Sequence, residues 1–352
     1  MKWEENVRKV VPYVPGEQPK MQNLIKLNTN EFPYPPAPAV QKAIAEFDYD
    51  KLRLYSDPCI TDLTAAVADL YGLKPENAFV GIGSDDVLAM AFLTFFNSGK
   101  KILFPDITYS FYDVWADLYR IPYEMQPLME DFSIRKEDYF KENGGVILAN
   151  PNAPTGVEAD LAMIEEVIQK NPDVVVIVDE AYVDFGAKSA LPLIEKYENL
   201  LVVQTFSKSR ALAGARIGCA FGCEKIIKYL NDVKFSYNSY TITRLTEAIG
   251  CASLSDREYF EKTVQKLVDT RERTKVRLRE LGFLFADSKT NFIFATHKSV
   301  PAKELFDALR KEGIIVRYFN KPRIDNYLRI SIGTDEEMDT MLAFLTEYLK
   351  DK

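Results

Sequence analysis

Residues 173–210 read DVVVIVDEAYVDFGAKSALPLIEKYENLLVVQTFSKSR, and two runs within them set the architecture. VVVIV and LLVV are apolar at every position, so each predicts a strand covered on both faces rather than one with a wet side. Helix-sized segments separate these runs from their neighbours, which is the rhythm of a largely parallel sheet. Each run ends on chemistry-bearing residues, Asp179 to Tyr182 after the first and Thr205 to Lys208 after the second. Carboxyl ends of parallel strands are where such sheets collect their ligand groups.

Upstream, AFVGIG (78–83) runs into a Gly-Ser-Asp turn and then a long apolar helix, a strand followed by a phosphate-sized turn and a helix. KKILFPDITYSFYDVW (100–115) repeats the rhythm, and GGVILANP (144–151) supplies another strand. VQKAIAEF (40–47) and TDLTAAVADLYG (61–72) read as amphipathic helices, the second with Thr61 and Asp62 placed to satisfy its free amides. After about Tyr240 the chain becomes more charged and helical. LSDREYFEKTVQKLVDTRERTKVRLRELG (254–282) forms the bridge to TNFIFAT, helix PAKELFDALRKEG, IIVRYF, YLRISIG and a terminal helix. The expected fold is α/β: an N-terminal arm at 1–30, a large domain at 31–240 with a mostly parallel sheet between helices, and a smaller α+β domain at 241–352. The cluster RERTKVRLRE (271–280) reads as a solvated helix face.

The 352 residues are 47% hydrophobic and 27% charged, enough to bury a large core in two domains and to exclude a disordered chain. Fifty-two acidic against 44 basic residues give a net charge of -8, which argues against nucleic acid as the main partner. No stretch approaches the roughly 18 to 20 apolar residues that span a bilayer. Four cysteines without a disulfide framework suit a reducing compartment, so a cytoplasmic location is expected. Cys219 and Cys223 lack a second pair, and the only histidine, His297, is distant, so no metal site is expected. The cysteines read as core fillers and His297 as an exposed turn residue.

Lys208 follows an apolar strand between Ser207 and Ser209, with Arg210 and Arg216 close in sequence. A lysine amine attacks an aldehyde only as the free base, which enclosure and neighbouring cations favour. The hydroxyls of Ser84, Thr205, Ser207 and Ser209, with turn amides, suit a phosphate. Asp179 ends VVVIV, where a carboxylate needs a cation or several donors. It reads either as a structural cap or as a partner for a pyridinium nitrogen.

TFSKSRALAGARIGCAF (205–221) resembles the lysine motif of fold-type I, class I aminotransferases. With GIGSDD (81–86), NPNAPTG (150–156) and DEAYVDF (179–185) in the same order, the chain resembles histidinol-phosphate aminotransferases from LNTNEFPYPP to YLRISIG. The resemblance implies pyridoxal 5'-phosphate bound through Lys208, with Asp179 facing its ring nitrogen, Tyr182 donating to its ring oxygen and Tyr109 stacked on the ring. Ser84, Asp85, Thr205, Ser207 and Arg216 would hold the phosphate. Tyr55 would reach the phosphate of the other subunit, which implies a homodimer. Arg317 and Arg329 would grip a substrate anion beneath Tyr13 and Asn30. The implied reaction moves the amino group of L-histidinol phosphate to 2-oxoglutarate, giving imidazole acetol phosphate and L-glutamate in histidine biosynthesis. An aromatic amino acid aminotransferase and a threonine-phosphate decarboxylase are the alternatives, with a cofactor-binding regulatory protein further off. Two departures bear on the site. Ala153 stands where the family has an asparagine contacting the ring oxygen, so either Asn152 moves into that role or Tyr182 carries the contact. Phe32 and Gln204 also depart from the pattern and bear on substrate preference.

Overall fold

The computed structural model describes residues 2–14, 16–19, 24–350 and 352. Twelve strands occur among them: β1 (Ile25–Leu27), β2 (Ala78–Gly81), β3 (Ile102–Pro105), β4 (Tyr123–Gln126), β5 (Val146–Ala149), β6 (Val176–Asp179), β7 (Leu200–Thr205), β8 (Gly218–Gly222), β9 (Phe283–Phe285), β10 (Phe292–His297), β11 (Ile314–Tyr318) and β12 (Leu328–Ser331). The α-helices are α1 (Pro38–Ala45), α2 (Thr61–Leu70), α3 (Gly83–Phe95), α4 (Tyr112–Tyr119), α5 (Leu161–Lys170), α6 (Glu224–Tyr237), α7 (Arg244–Ser255), α8 (Arg257–Glu280), α9 (Ala302–Lys311) and α10 (Asp335–Tyr348). None of these helices is long and apolar enough to cross a membrane.

Seven strands form one sheet in the order β2-β8-β7-β6-β5-β3-β4, parallel except for β8, which runs antiparallel to both β7 and β2. Its side chains alternate between two cores. Val176, Val178, Leu200 and Val202 join Leu63, Val67, Ile164 and Val167 on one face. Ile177, Leu201 and Val203 join Val87, Phe92, Trp115 and Leu230 on the other. Burial on both sides is why VVVIV and LLVV carry no polar alternation. The second sheet, in the order β1-β11-β12-β10-β9, packs with α8, α9 and α10 around Leu267, Phe292, Leu305, Ile330 and Met341. The expected α/β architecture with a second, mixed body is what forms.

Several local expectations fail. RERTKVRLRE is a solvated face only in part: Glu272, Arg273, Arg277, Arg279 and Glu280 are exposed, but Arg271 and Lys275 are buried within α8. Arg271 donates to the carbonyls of Phe185 (2.9 Å) and Thr290 (2.8 Å). Lys275 donates to Asp287 (2.7 Å), Glu272 (2.8 Å) and the Ser288 carbonyl (2.9 Å). A buried cation is tolerated when its donors are met in this way. His297 is also buried, at the end of β10, with Nε2 against the Leu281 carbonyl and Nδ1 accepting from the Val300 amide. Of the cysteines only Cys219 is buried; Cys59 is exposed. Thr61 is the first residue of α2, but neither its side chain nor that of Asp62 caps the helix. Asp57 accepts from the Thr61 amide at 2.9 Å, and Ile60 takes the left-handed N-cap.

Candidate active site

The carboxyl ends of β6 and β7 face the start of α3, and the antiparallel β8 closes the gap. Gly83, at φ +79°, turns the chain from β2 into α3. Gly218 on β8 lies so near that a Cβ there would sit 2.2 Å from the Gly83 carbonyl carbon and 2.3 Å from the Ser84 amide nitrogen. Only glycine lets a strand approach a helix N-terminus this closely, where free amides and the helix dipole favour an anion. The Arg216 guanidinium covers the same turn, 2.5 Å from where a Gly83 Cβ would be. Its NH2 meets Asp85 Oδ2 at 3.4 Å.

A cavity of about 150 Å³ opens here. Ser84, Thr205, Ser207 and Arg216 line it with anion-binding groups, Asp85 lies beside them, and Tyr109, Asp179, Tyr182 and Lys208 line it too, with Ala153 among the apolar residues. Nine of the residues singled out in the sequence thus converge. Lys208 Nζ stands 5.7 Å from the centre of the Tyr182 ring. The Tyr109 hydroxyl donates to Asp85 Oδ1 at 2.7 Å, which fixes its ring.

Asp179 ends β6 almost wholly buried. Its Oδ2 accepts from the Tyr112 hydroxyl at 2.7 Å and its Oδ1 from the Ala181 amide at 3.2 Å. Burial drives its pKa from 3.8 up to about 6, against the pull of those two bonds. Between these values the folded cofactor-free protein holds a proton that the unfolded chain releases. The group's share of stability is therefore full below pH 3.8 and declines until about pH 6. Asp179→Asn, which cannot ionise, is expected to gain on the wild type across that window and to keep a constant lead above it. Thermal midpoints of the two cofactor-free proteins against pH check this; a difference that does not vary with pH rejects it.

Other predicted residues lie elsewhere. Asn152 does not line the cavity. Its amide donates to the Ile107 carbonyl and Thr155 and accepts from Thr108, so its polar capacity is spent on joining its own loop to the segment after β3, and Ala153 faces the cavity instead. Gln204 points away, bonded to Glu180 (3.0 Å) and the Tyr71 hydroxyl (2.7 Å). Glu180 itself is pushed up to about 7 by burial. Asn30 is 1% exposed, and its side chain is engaged by Tyr182 and Ser331. Tyr13 stacks on Phe111 at 4.1 Å.

Arg317 and Arg329 are paired across β11 and β12. Arg329 NH2 donates to the Asn28 carbonyl at 3.1 Å, while its Nε is shielded from solvent with no partner among the described residues. Burial pulls the Arg329 pKa down, and the Arg317 charge adds to the effect. Two guanidiniums with spare donors in one place suit a carboxylate or phosphate. Tyr55 is 78% exposed and stacks on Tyr240, outside the cavity, in an exposed stretch where Tyr49, Leu52 and Leu54 alternate with Asp50, Lys51 and Arg53.

Two polar residues at the site escaped the sequence reading. Tyr112, which donates to Asp179, lies three residues beyond Tyr109 in TYSFY, at the start of α4, and that spacing was the available signal. Asp184 accepts from Ser209 and ties the Lys208 turn to the segment carrying Tyr182. Nothing in DEAYVDF marked Asp184 over its neighbours.

The chain belongs to the class I and II aminotransferases, whose family profile matches residues 22–345. Within that family it falls among the histidinol-phosphate aminotransferases. It is 53% identical over 352 residues to one from Lactococcus lactis subsp. cremoris, covering 100% of this chain and 99% of that protein. It is 51% identical over 348 residues to one from Brachyspira hyodysenteriae, covering 99% and 98%. Among solved structures, the histidinol-phosphate aminotransferase of Sinorhizobium meliloti in complex with pyridoxal 5'-phosphate superposes with a TM-score of 0.84 at 26% identity, covering 93% of this chain and 91% of that one. The residues present here fit such a group. A glycine-lined amide turn with Arg216 suits the phosphate, a buried carboxyl suits a protonated ring nitrogen, and an amine suits the aldehyde.

Proposed function

We propose that this protein is a pyridoxal-phosphate-dependent transaminase that converts L-histidinol phosphate and 2-oxoglutarate to imidazole acetol phosphate and L-glutamate. The observation that carries the reading is the Arg317–Arg329 pair with its unpartnered Nε, an anion grip within one fold with the lysine cavity. Both amino donors, histidinol phosphate and glutamate, carry an anionic end, so one grip serves both half-reactions.

When bound, pyridoxal phosphate supplies an electron sink for the pair left when the donor's Cα proton departs. Lys208 Nζ takes that proton and holds it for return. Asp179, held by Tyr112 and Ala181, keeps a proton at the ring nitrogen, and a buried carboxylate facing a cation there is worth far more than one in water. Tyr182 donates to the ring oxygen. Tyr109, fixed by Asp85, covers the ring. The amides of Ser84 and Asp85, with Thr205, Ser207 and Arg216, anchor the phosphate. Arg317, Arg329 and Tyr13 orient the donor. Asn152 has no part in this scheme.

The exposed side chains of Tyr49, Leu52, Leu54 and Tyr55 support a homodimer in which Tyr55 enters the site of the second copy, since several large apolar groups exposed together mark an interaction surface. We assign residues 31–240 to the cofactor-binding domain, 241–352 to the smaller domain and 1–30 to an arm, and place the enzyme in the cytoplasm.

The test is single-turnover absorbance of the pyridoxal form mixed separately with histidinol phosphate, phenylalanine and threonine phosphate, with products identified. Conversion by histidinol phosphate is expected to outpace phenylalanine by orders of magnitude. A preference for phenylalanine, or carbon dioxide from threonine phosphate, replaces the assigned reaction.

A further inference from the structure

We propose that Asn30 is a positioning residue that turns the Tyr182 hydroxyl proton into the cavity, supplying through Tyr182 the control that Ala153 cannot. The inference rests on Tyr182 donating to the cofactor's ring oxygen. It follows from a closed set of hydrogen bonds. The Ser331 hydroxyl accepts from the Asn30 amide N–H at 3.0 Å. Its own proton is thus left for Asn30 Oδ1, at 2.9 Å. With Oδ1 committed, Nδ2 faces Tyr182 and meets its hydroxyl oxygen at 2.9 Å. An amide nitrogen only donates, so the Tyr182 oxygen must accept and its proton points elsewhere. No acceptor for that proton exists among the described residues, and Tyr182 lines the lysine cavity.

The rest of the geometry holds Asn30 in place. Its backbone is left-handed, at φ +55°, and its carbonyl accepts from Asn291 Nδ2 at 2.9 Å. Ser331 lies on β12 and Asn291 precedes β10, so the second sheet grips the residue that orients Tyr182. Ala153, a cavity-lining residue without hydrogen-bonding atoms in its side chain, leaves the orientation of Tyr182 as the available control from this side.

A hydroxyl donating to the ring oxygen favours its anionic form and lowers the pH at which the bound chromophore loses its proton. The experiment is a pH titration of the visible absorbance of the reconstituted enzyme without substrate. Asn30→Gly, which accepts the left-handed backbone, is expected to raise that pH by about 0.4–1 unit. Tyr182→Phe is expected to raise it at least as far, and the double variant to add nothing to Tyr182→Phe, the signature of one residue acting through another. Asn30→Asp keeps the size and the Ser331 bond but reverses the donor toward Tyr182. It is expected to shift upward too and serves if the glycine variant does not fold. A wild-type titration for a folded Asn30 variant while Tyr182→Phe shifts, or additive shifts, overturns the proposal. If Tyr182→Phe itself leaves the titration unmoved, the role of Tyr182 falls and the proposal with it.

Discussion

A Lys208→Ala variant is expected to exchange the Cα proton of glutamate about 10²- to 10⁴-fold more slowly than the wild type, while still retaining cofactor noncovalently. Lys208 is the one lysine lining the cavity, so no described neighbour stands ready to replace its amine. The phosphate cradle, Asp179 and Tyr109 do not depend on it, which is why cofactor retention is expected to survive. Deuterium exchange into glutamate followed by NMR, with absorbance measured after gel filtration, separates the two properties. Undiminished exchange removes Lys208 from the chemistry.

Arg329→Ala is expected to lower kcat/KM by about 30- to 4,000-fold, the loss that follows truncation of one member of a buried charge pair. Its Nε has no partner among the described residues, which leaves that donor open to an anion. Arg329→Lys is expected to recover little, because a point charge does not reproduce a planar fork. Steady-state kinetics run in both half-reactions give the check. Equal losses with histidinol phosphate and glutamate fit one shared grip, whereas a loss with only one donor means the anions are held at separate places.

The sheet was legible because the forces that build it act along short stretches. VVVIV and LLVV announce two-sided burial, and GIGSDD announces a turn into a helix. The strand order was not legible, since the insertion of β8 against the run of its neighbours depends on Gly218 meeting Gly83, and those residues are far apart in sequence. Arg271 and Lys275 were misread for a related reason: their partners, Phe185, Asp287, Ser288 and Thr290, come from other segments, and a helix sequence does not state which carbonyls it will find. At the site, residue types at strand ends drew attention to Asp179, Tyr182, Thr205 and Lys208, and the cavity gathers all four. Hydrogen-bond direction was beyond reach. Asn152 and Asn30 are the same side chain, yet one is consumed by Ile107, Thr108 and Thr155 and the other reaches Tyr182, a difference set by packing alone.

The antiparallel position of β8 also orders events during synthesis on the ribosome. The cradle joins residues 83–85 to 205–216 only when β8 lies between β2 and β7, so a nascent chain that has not yet released Gly222 offers β2 an unpaired edge and no place for phosphate. Such long-range closure is slow and leaves apolar strands open to other chains meanwhile. Pairing of Asn30 with Ser331 waits longer still, for β12, the last of the described strands, to emerge. Cofactor supplied to the growing chain therefore has nothing complete to bind until β8 is made, and Asn30, made well before β8, is locked after it.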